Sequence, residues 1–188
     1  VTGWGVVERD AVGGLRLVAF GTLRPKADAA FSRRLRVIHE GLLEVVEAHA
    51  PEAVAVEEAF AGLNVRSAIR LGEARAVCVL AAELSDRAVH ELSPALVKKV
   101  VAGHGQAGKE SVRNAVMRLL GMAGAGEGDE AADDAPPYDA ADALALAIAA
   151  LTRLEVPAAL RPGPVGRRAR RRGWTLADVE RLTGEAGG

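Results

Sequence analysis

The chain has 188 residues, of which 49% are hydrophobic and only 3% aromatic, with a formal net charge of −1. That length suits one domain of ordinary size plus an appendage, and a core built from Val, Leu, Ile and Ala favours layered α/β packing over an aromatic-rich β-sandwich. The single cysteine, Cys78, excludes an internal disulfide framework, and neither a membrane span nor a signal-peptide pattern is present, so a cytoplasmic protein is expected.

Val1 to Val7 reads as a strand, Gly13-Gly14 as a hairpin signal, and Leu15 to Leu23 as the returning strand. A helix starting near Ala29 follows, with Leu35, Ile38, Leu42, Val45 and Val46 at helical spacing, and Pro51 stops it. Val54-Ala55-Val56 is a short apolar run of the kind found in strands covered on both faces. It ends in Glu57, where open α/β sheets place their chemistry, although a glutamate there can equally cap the next helix. Phe60, just beyond, is either a core residue or an exposed aromatic that stacks on a base.

Asn64 to Leu84 has helical periodicity, with Arg66, Arg70 and Arg75 along a side that reads as a solvated face. Ala88 to Leu92 is a short strand, and Ser93-Pro94 opens a helix carrying Lys98 and Lys99. The loop from Gly103 to Lys109 nearly matches a Walker A pattern, but Glu110 stands where a hydroxyl should meet magnesium, and a helix precedes the loop. A weaker function survives, in which Lys109 and helix N-terminal amides hold a phosphate. His104 reads as a turn residue, and an amphipathic helix follows through Val112, Val116, Leu119 and Leu120.

Pro136-Pro137 then leads into a helix in which Asp139 and Asp142 share one face, with about 5 to 6 Å between their Cβ atoms. Its remaining faces are Ala, Leu and Ile, so the helix is expected to be surrounded by protein. Two carboxylates at the end of such a helix call for a partner, and a divalent cation is one; the alternative is that Asp139 is the helix N-cap and Asp142 an acid complementing the dipole.

Charge divides the chain. Residues 1–152 carry 16 Lys and Arg against 21 Asp and Glu, whereas residues 153–188 carry 8 against 4, with six arginines between Arg161 and Arg172. The expected organisation is a folded body over residues 1–153 and, over 154–188, a basic Pro/Gly/Arg linker with a short helix beginning at Trp174.

The stretches VTGWGVV, AVEEAF with NVRSAIRLGEARAV, SPALVKKVVAGHGQAGKESV and YDAADALALAIA, in that order, resemble the RuvC-type Holliday junction resolvases within the RNase H-like nucleases. The resemblance implies a three-layer α/β/α fold around a mixed five-stranded sheet. It also implies a homodimeric, magnesium-dependent endonuclease, with Mn2+ able to substitute, that cuts four-way DNA junctions by two symmetric nicks during recombination and repair. The RuvA and RuvB branch-migration proteins are the partners it implies. Glu57, Asp139 and Asp142 fall on the family's catalytic, metal-binding acids; Lys98 and Lys109 match basic residues near the active site, Lys99 adjoins them as a DNA contact, and Phe60 matches an aromatic that meets DNA. The family's remaining catalytic acid is an aspartate in an Asp-Pro-Gly motif that closes a strand just upstream of the segment matched by Val1–Val7. The sequence starts past that point and without a methionine, so the expected sheet lacks its first strand, and the set of four carboxylates holding two ions lacks one member. Two rivals remain open at this stage, a noncatalytic junction-binding protein and a related nuclease acting on RNA or other branched substrates.

Overall fold

Strand β1 (Thr2–Arg9) turns back into β2 (Leu15–Leu23) through a loop organised by one side chain. Asp10 Oδ1 accepts from the backbone N–H groups of Val12 (2.9 Å) and Gly14 (2.7 Å), while Gly13 takes a φ of +85°, which favours glycine. The strands pair antiparallel from Thr2↔Leu23 to Arg9↔Leu15, with a register shift between Val6 and Val7. This is a computed structural model, and it describes residues 1–58, 65–122 and 135–154. Phe60, the basic linker and the Trp174 helix lie outside the described residues.

Helix α1 (Phe31–His49) begins two residues later than the sequence reading and ends at Ala50, whose left-handed backbone returns its N–H to Val46 O just before Pro51. Strands β3 (Ala53–Glu57) and β4 (Ala88–Leu92) pair in parallel, residue for residue, and helix α2 (Val65–Leu84) lies between them in sequence. Helix α3 (Pro94–Ala102) has the cap its sequence promised, Ser93 Oγ accepting from Leu96 N–H at 3.4 Å with Pro94 in the first turn. After the glycine loop comes α4 (Lys109–Leu119), and the last described helix is α5 (Tyr138–Leu154). The loop thus joins two helices. A phosphate-cradling P-loop needs a strand before it, so the Walker A reading ends here.

The layers follow from alternation along β1. Gly3 and Gly5 face α5 so closely that a Cβ on Gly3 would lie 1.8 Å from the Asp139 carbonyl oxygen, and one on Gly5 would lie 2.5 Å from Leu144 Cδ2. Trp4, between them, points the other way, its ring 6.0 Å from that of His49 at the end of α1. Helices α1 and α2 therefore cover one side of the strands, and α5, with α3 and α4 packed on it, covers the other.

The mixed sheet, expected without its first strand, is divided. Among the described residues the four strands form two two-stranded sheets, β1–β2 and β3–β4. No described strand hydrogen-bonds across the pairs; α5, which touches all four strands, is what joins them. The core sits beneath that helix. Leu144 and Val116 are fully buried, and Ile148, Leu92, Val97, Val101 and Val112 close around them. A near-polyalanine flank, Ala140, Ala141, Ala145 and Ala149, lets neighbouring backbones approach closely.

Leu144→Ala should therefore lower unfolding free energy by about 3 kcal/mol, because it leaves a cavity where the helix meets β1. Urea unfolding followed by circular dichroism measures this; a midpoint unchanged from wild type would show that α5 is not the keystone.

Candidate active site

Each acidic side chain singled out by the sequence is delivered by the end of an element. Glu57 is the last residue of β3, and its side chain is exposed beyond the strand's carboxyl end. Asp139 and Asp142 lie in the first turns of α5. The Ala141 N–H donates to Pro137 O at 2.8 Å, which makes Pro137 the capping position. Asp139 is therefore not the N-cap left open as an alternative; it is a first-turn acid, favourably placed for the helix dipole. Asp142 is a turn deeper, where that benefit fades. Lys98 is half-buried on α3, and Lys109 is the exposed first residue of α4.

Electrostatics shows which of these meet. Although Glu57 is exposed as a residue, partial loss of water around its carboxyl pushes that group above its ordinary range, the charge of Asp142 pushes it further, and Lys98 opposes both. Asp142 is also raised, first by loss of water, then by Asp139, while Lys109 and Lys98 pull it down. Five residues from four elements thus share one field: Glu57 from β3, Asp139 and Asp142 from α5, Lys98 from α3 and Lys109 from α4. Lys99 is exposed and is not among the charges that move Glu57 or Asp142. Phe60 lies outside the described residues.

Carboxylate oxygens are the donors that hard divalent cations take, and Glu57 and Asp142 are held at a distance where their like charges disfavour ionisation. Among the described residues these acids make no ion pair with a protein cation. Donor chemistry and charge therefore fit a divalent ion. They do so as an open neighbourhood: among the described residues no group of three or more acidic, His or Cys side chains is gathered tightly enough to enclose one.

Two further groups border the site and escaped the sequence reading. Arg113, one turn into α4, stacks its guanidinium over the Tyr138 ring at 5.1 Å, beside Asp139. Arg75 of α2 was assigned to a solvated face, yet it donates from Nε to the Glu57 carbonyl oxygen at 3.1 Å and pairs with Glu91 of β4 at 2.5 Å. Spacing gives no hint of either contact, because both cross between elements far apart in the chain. Arg70, from the same supposed face, covers the Phe31 ring at 4.0 Å.

A carboxyl whose pKa is raised by folding binds protons more tightly in the folded state, so stability falls as pH rises from the ordinary aspartate value, ~4, towards the raised one. Asp142→Asn removes that penalty. The variant should melt at a higher temperature than wild type at pH 7, with the gap closing as the pH falls below the ordinary carboxylate range. Melting curves between pH 3 and 7 test this, and a neutral-pH destabilisation would contradict the assignment of Asp142 to a crowded acidic site.

The chain is similar to known proteins of one family. The family model described as crossover junction endodeoxyribonuclease RuvC matches residues 1–150. Crossover junction endodeoxyribonuclease RuvC of Dehalococcoides mccartyi is 43% identical over 148 residues, 79% of this chain and 84% of the relative. The protein of the same description from Azorhizobium caulinodans is 42% identical over 147 residues, 78% of this chain and 80% of the relative. Among solved structures, Thermus thermophilus RuvC superposes with a TM-score of 0.64 at 34% identity, covering 78% of this chain and 84% of that one. The structure of T. thermophilus RuvC in complex with Holliday junction substrate also gives 0.64 at 34% identity, over 77% and 82% of the two chains.

Proposed function

The chain belongs to the RuvC family of crossover junction endodeoxyribonucleases, and from that premise we propose that it resolves Holliday junctions by metal-assisted phosphodiester hydrolysis at the site formed by Glu57, Asp139 and Asp142. The observation that carries the assignment is the shared field of those three acids with Lys98 and Lys109 at the carboxyl end of β3. Magnesium, for which manganese can substitute, would be held by these carboxylates, and when bound it lowers the pKa of an attacking water and stabilises charge on the phosphate and leaving oxygen.

The protein's own part is to position and to neutralise. Glu57 and Asp142, on different elements, disfavour each other's charge, and they are the residues that would hold a divalent cation, which would offset that repulsion and supply positive charge for the scissile phosphate. Lys98 and Lys109 flank that point and offset charge that develops on the phosphate. Lys109 also begins α4, so free backbone N–H groups accompany its ammonium. Lys99 and Phe60 are assigned to DNA contact outside the catalytic group.

A four-way junction offers two equivalent strands, which a twofold enzyme matches with one site each. The described structure supports a dimer through α2. Val65, Ile69, Leu80 and Leu84 are 77, 57, 50 and 63% exposed and, with Ala76, lie along one stripe of the helix. Four large apolar side chains on one exposed face, with exposed Glu73 and Glu83 among them, support an association surface. The occupant proposed is the same helix of a second copy, with RuvA and RuvB as further partners of the assembled enzyme.

Glu57→Gln and Asp142→Asn should each lower junction cleavage by more than ~100-fold, on the scale of lost transition-state charge stabilisation, while leaving junction affinity within a few-fold of wild type. Gel-shift and single-turnover cleavage with Mg2+ measure the two separately. Wild-type cutting by Asp142→Asn would sink the site, and wild-type protein that binds junctions without cutting them, or cuts RNA instead, would favour a different reading of the fold. Ile69→Lys with Leu80→Lys should convert a dimer to a monomer in sedimentation; an unchanged dimer would place the interface elsewhere.

A further inference from the structure

The end of β3 must be held if Glu57 is to aim its carboxylate. Parallel pairing with β4 stops there: Val56 lies opposite Glu91 and Glu57 opposite Leu92, and the Glu58 N–H donates to Leu92 O at 2.9 Å. Beyond that bond the strand has no further register with β4. The Glu57 carbonyl oxygen takes its hydrogen bond from the Arg75 Nε–H, 3.1 Å away, and the neighbouring Nη2 of the same guanidinium sits 2.5 Å from Glu91 Oε2.

We propose that Arg75 is a positioning residue for Glu57, a clamp from α2 that fixes the terminal peptide of β3 against Glu91 of β4 and so sets the direction in which the Glu57 side chain leaves the strand. Nε and Nη2 form one edge of a planar fork, and the two acceptors share that edge, so both bonds are made in one plane and reinforce each other. Fixing the carbonyl fixes the rotation of the Glu57–Glu58 peptide, which in turn restricts the Glu57 backbone. Both Arg75 bonds go to groups other than the Glu57 carboxylate, one to the Glu57 carbonyl oxygen and one to Glu91.

The clamp is partly sheltered. The Arg75 side chain is 23% exposed and that of Glu91 is 42% exposed, so the pair stays short of full screening by solvent. Arg75 also lies off the apolar stripe of α2 that carries Ile69 and Leu80, so changing it need not disturb that surface. Lysine cannot replace it, since one ammonium has no planar edge to divide between a carbonyl and a carboxylate.

The inference rests on the assignment of Glu57 to the catalytic site, and the experiment separates the two. Arg75→Ala and Arg75→Lys should each reduce single-turnover cleavage by about 10-fold and raise the Mg2+ concentration needed for half-maximal rate, with junction affinity unchanged. Glu91→Gln, which leaves the carbonyl bond in place, should have a smaller effect than either. Independently of activity, Mn2+ binding followed by electron paramagnetic resonance should weaken in both Arg75 variants, and the 13C carboxyl titration of Glu57 should shift. Wild-type cleavage, Mn2+ binding and Glu57 titration in Arg75→Ala would overturn the clamp, as would a loss confined to junction affinity, which would make Arg75 a DNA contact. If Glu57→Gln itself cuts at the wild-type rate, the catalytic assignment fails and the clamp fails with it; a dead Glu57→Gln beside a fully active Arg75→Lys removes the clamp alone.

Discussion

The bare-backbone contact between β1 and α5 is the constraint on which the rest of the molecule depends. No side chain fits between Gly3 and the Asp139 carbonyl, and Gly5 sits directly under Leu144. A residue with even a methyl group at Gly3 would push the first turn of α5 outward, and Asp139 rides on that turn. Helix α5 in turn supports α3 and α4, which carry the lysines, and it is the element that spans both strand pairs. The placement of the candidate site and the packing of the core are therefore consequences of the same close approach, reached by glycine on the strand and alanine on the helix.

The same arrangement sets stability against chemistry. Asp139 gains from the helix dipole, whereas Asp142 and Glu57 are held where water is partly removed and like charge is near. Nothing in the fold itself requires those two acids. The apolar contacts of Leu144, Ile148 and Val116 lie directly behind them and hold the end of the helix in place despite the repulsion. A site of this kind keeps its charges poised because the core beneath is rigid enough to tolerate them.

Much of this was legible from residue order. Periodicity located most elements closely: β2 and β4 run as expected, and α3 opens at Ser93-Pro94 as cap and proline require, while α5 runs on to Leu154. Glu57, Asp139 and Asp142 stand out as candidates because strand ends and helix starts are local features. Asp10 was missed, although it organises the hairpin, because the glycines beside it carried the stronger signal. Arg75 was misread for a deeper reason. An arginine on a helix presents the same pattern whether it meets water or a carbonyl from another element, and only the crossover of α2 beside β3 and β4 decides.

The glycine groove of β1 also has a meaning in time. Gly3 is synthesised long before the turn that must rest on it, at Asp139. The hairpin can close early, since its contacts are local and Asp10 pins the loop, but its helix-facing side has to wait for a contact of very large sequence separation. A waiting surface lined by Leu or Val would be an invitation to other nascent chains. At the two positions where β1 meets α5 most closely it offers glycine instead, with little for another chain to grip until its own helix arrives.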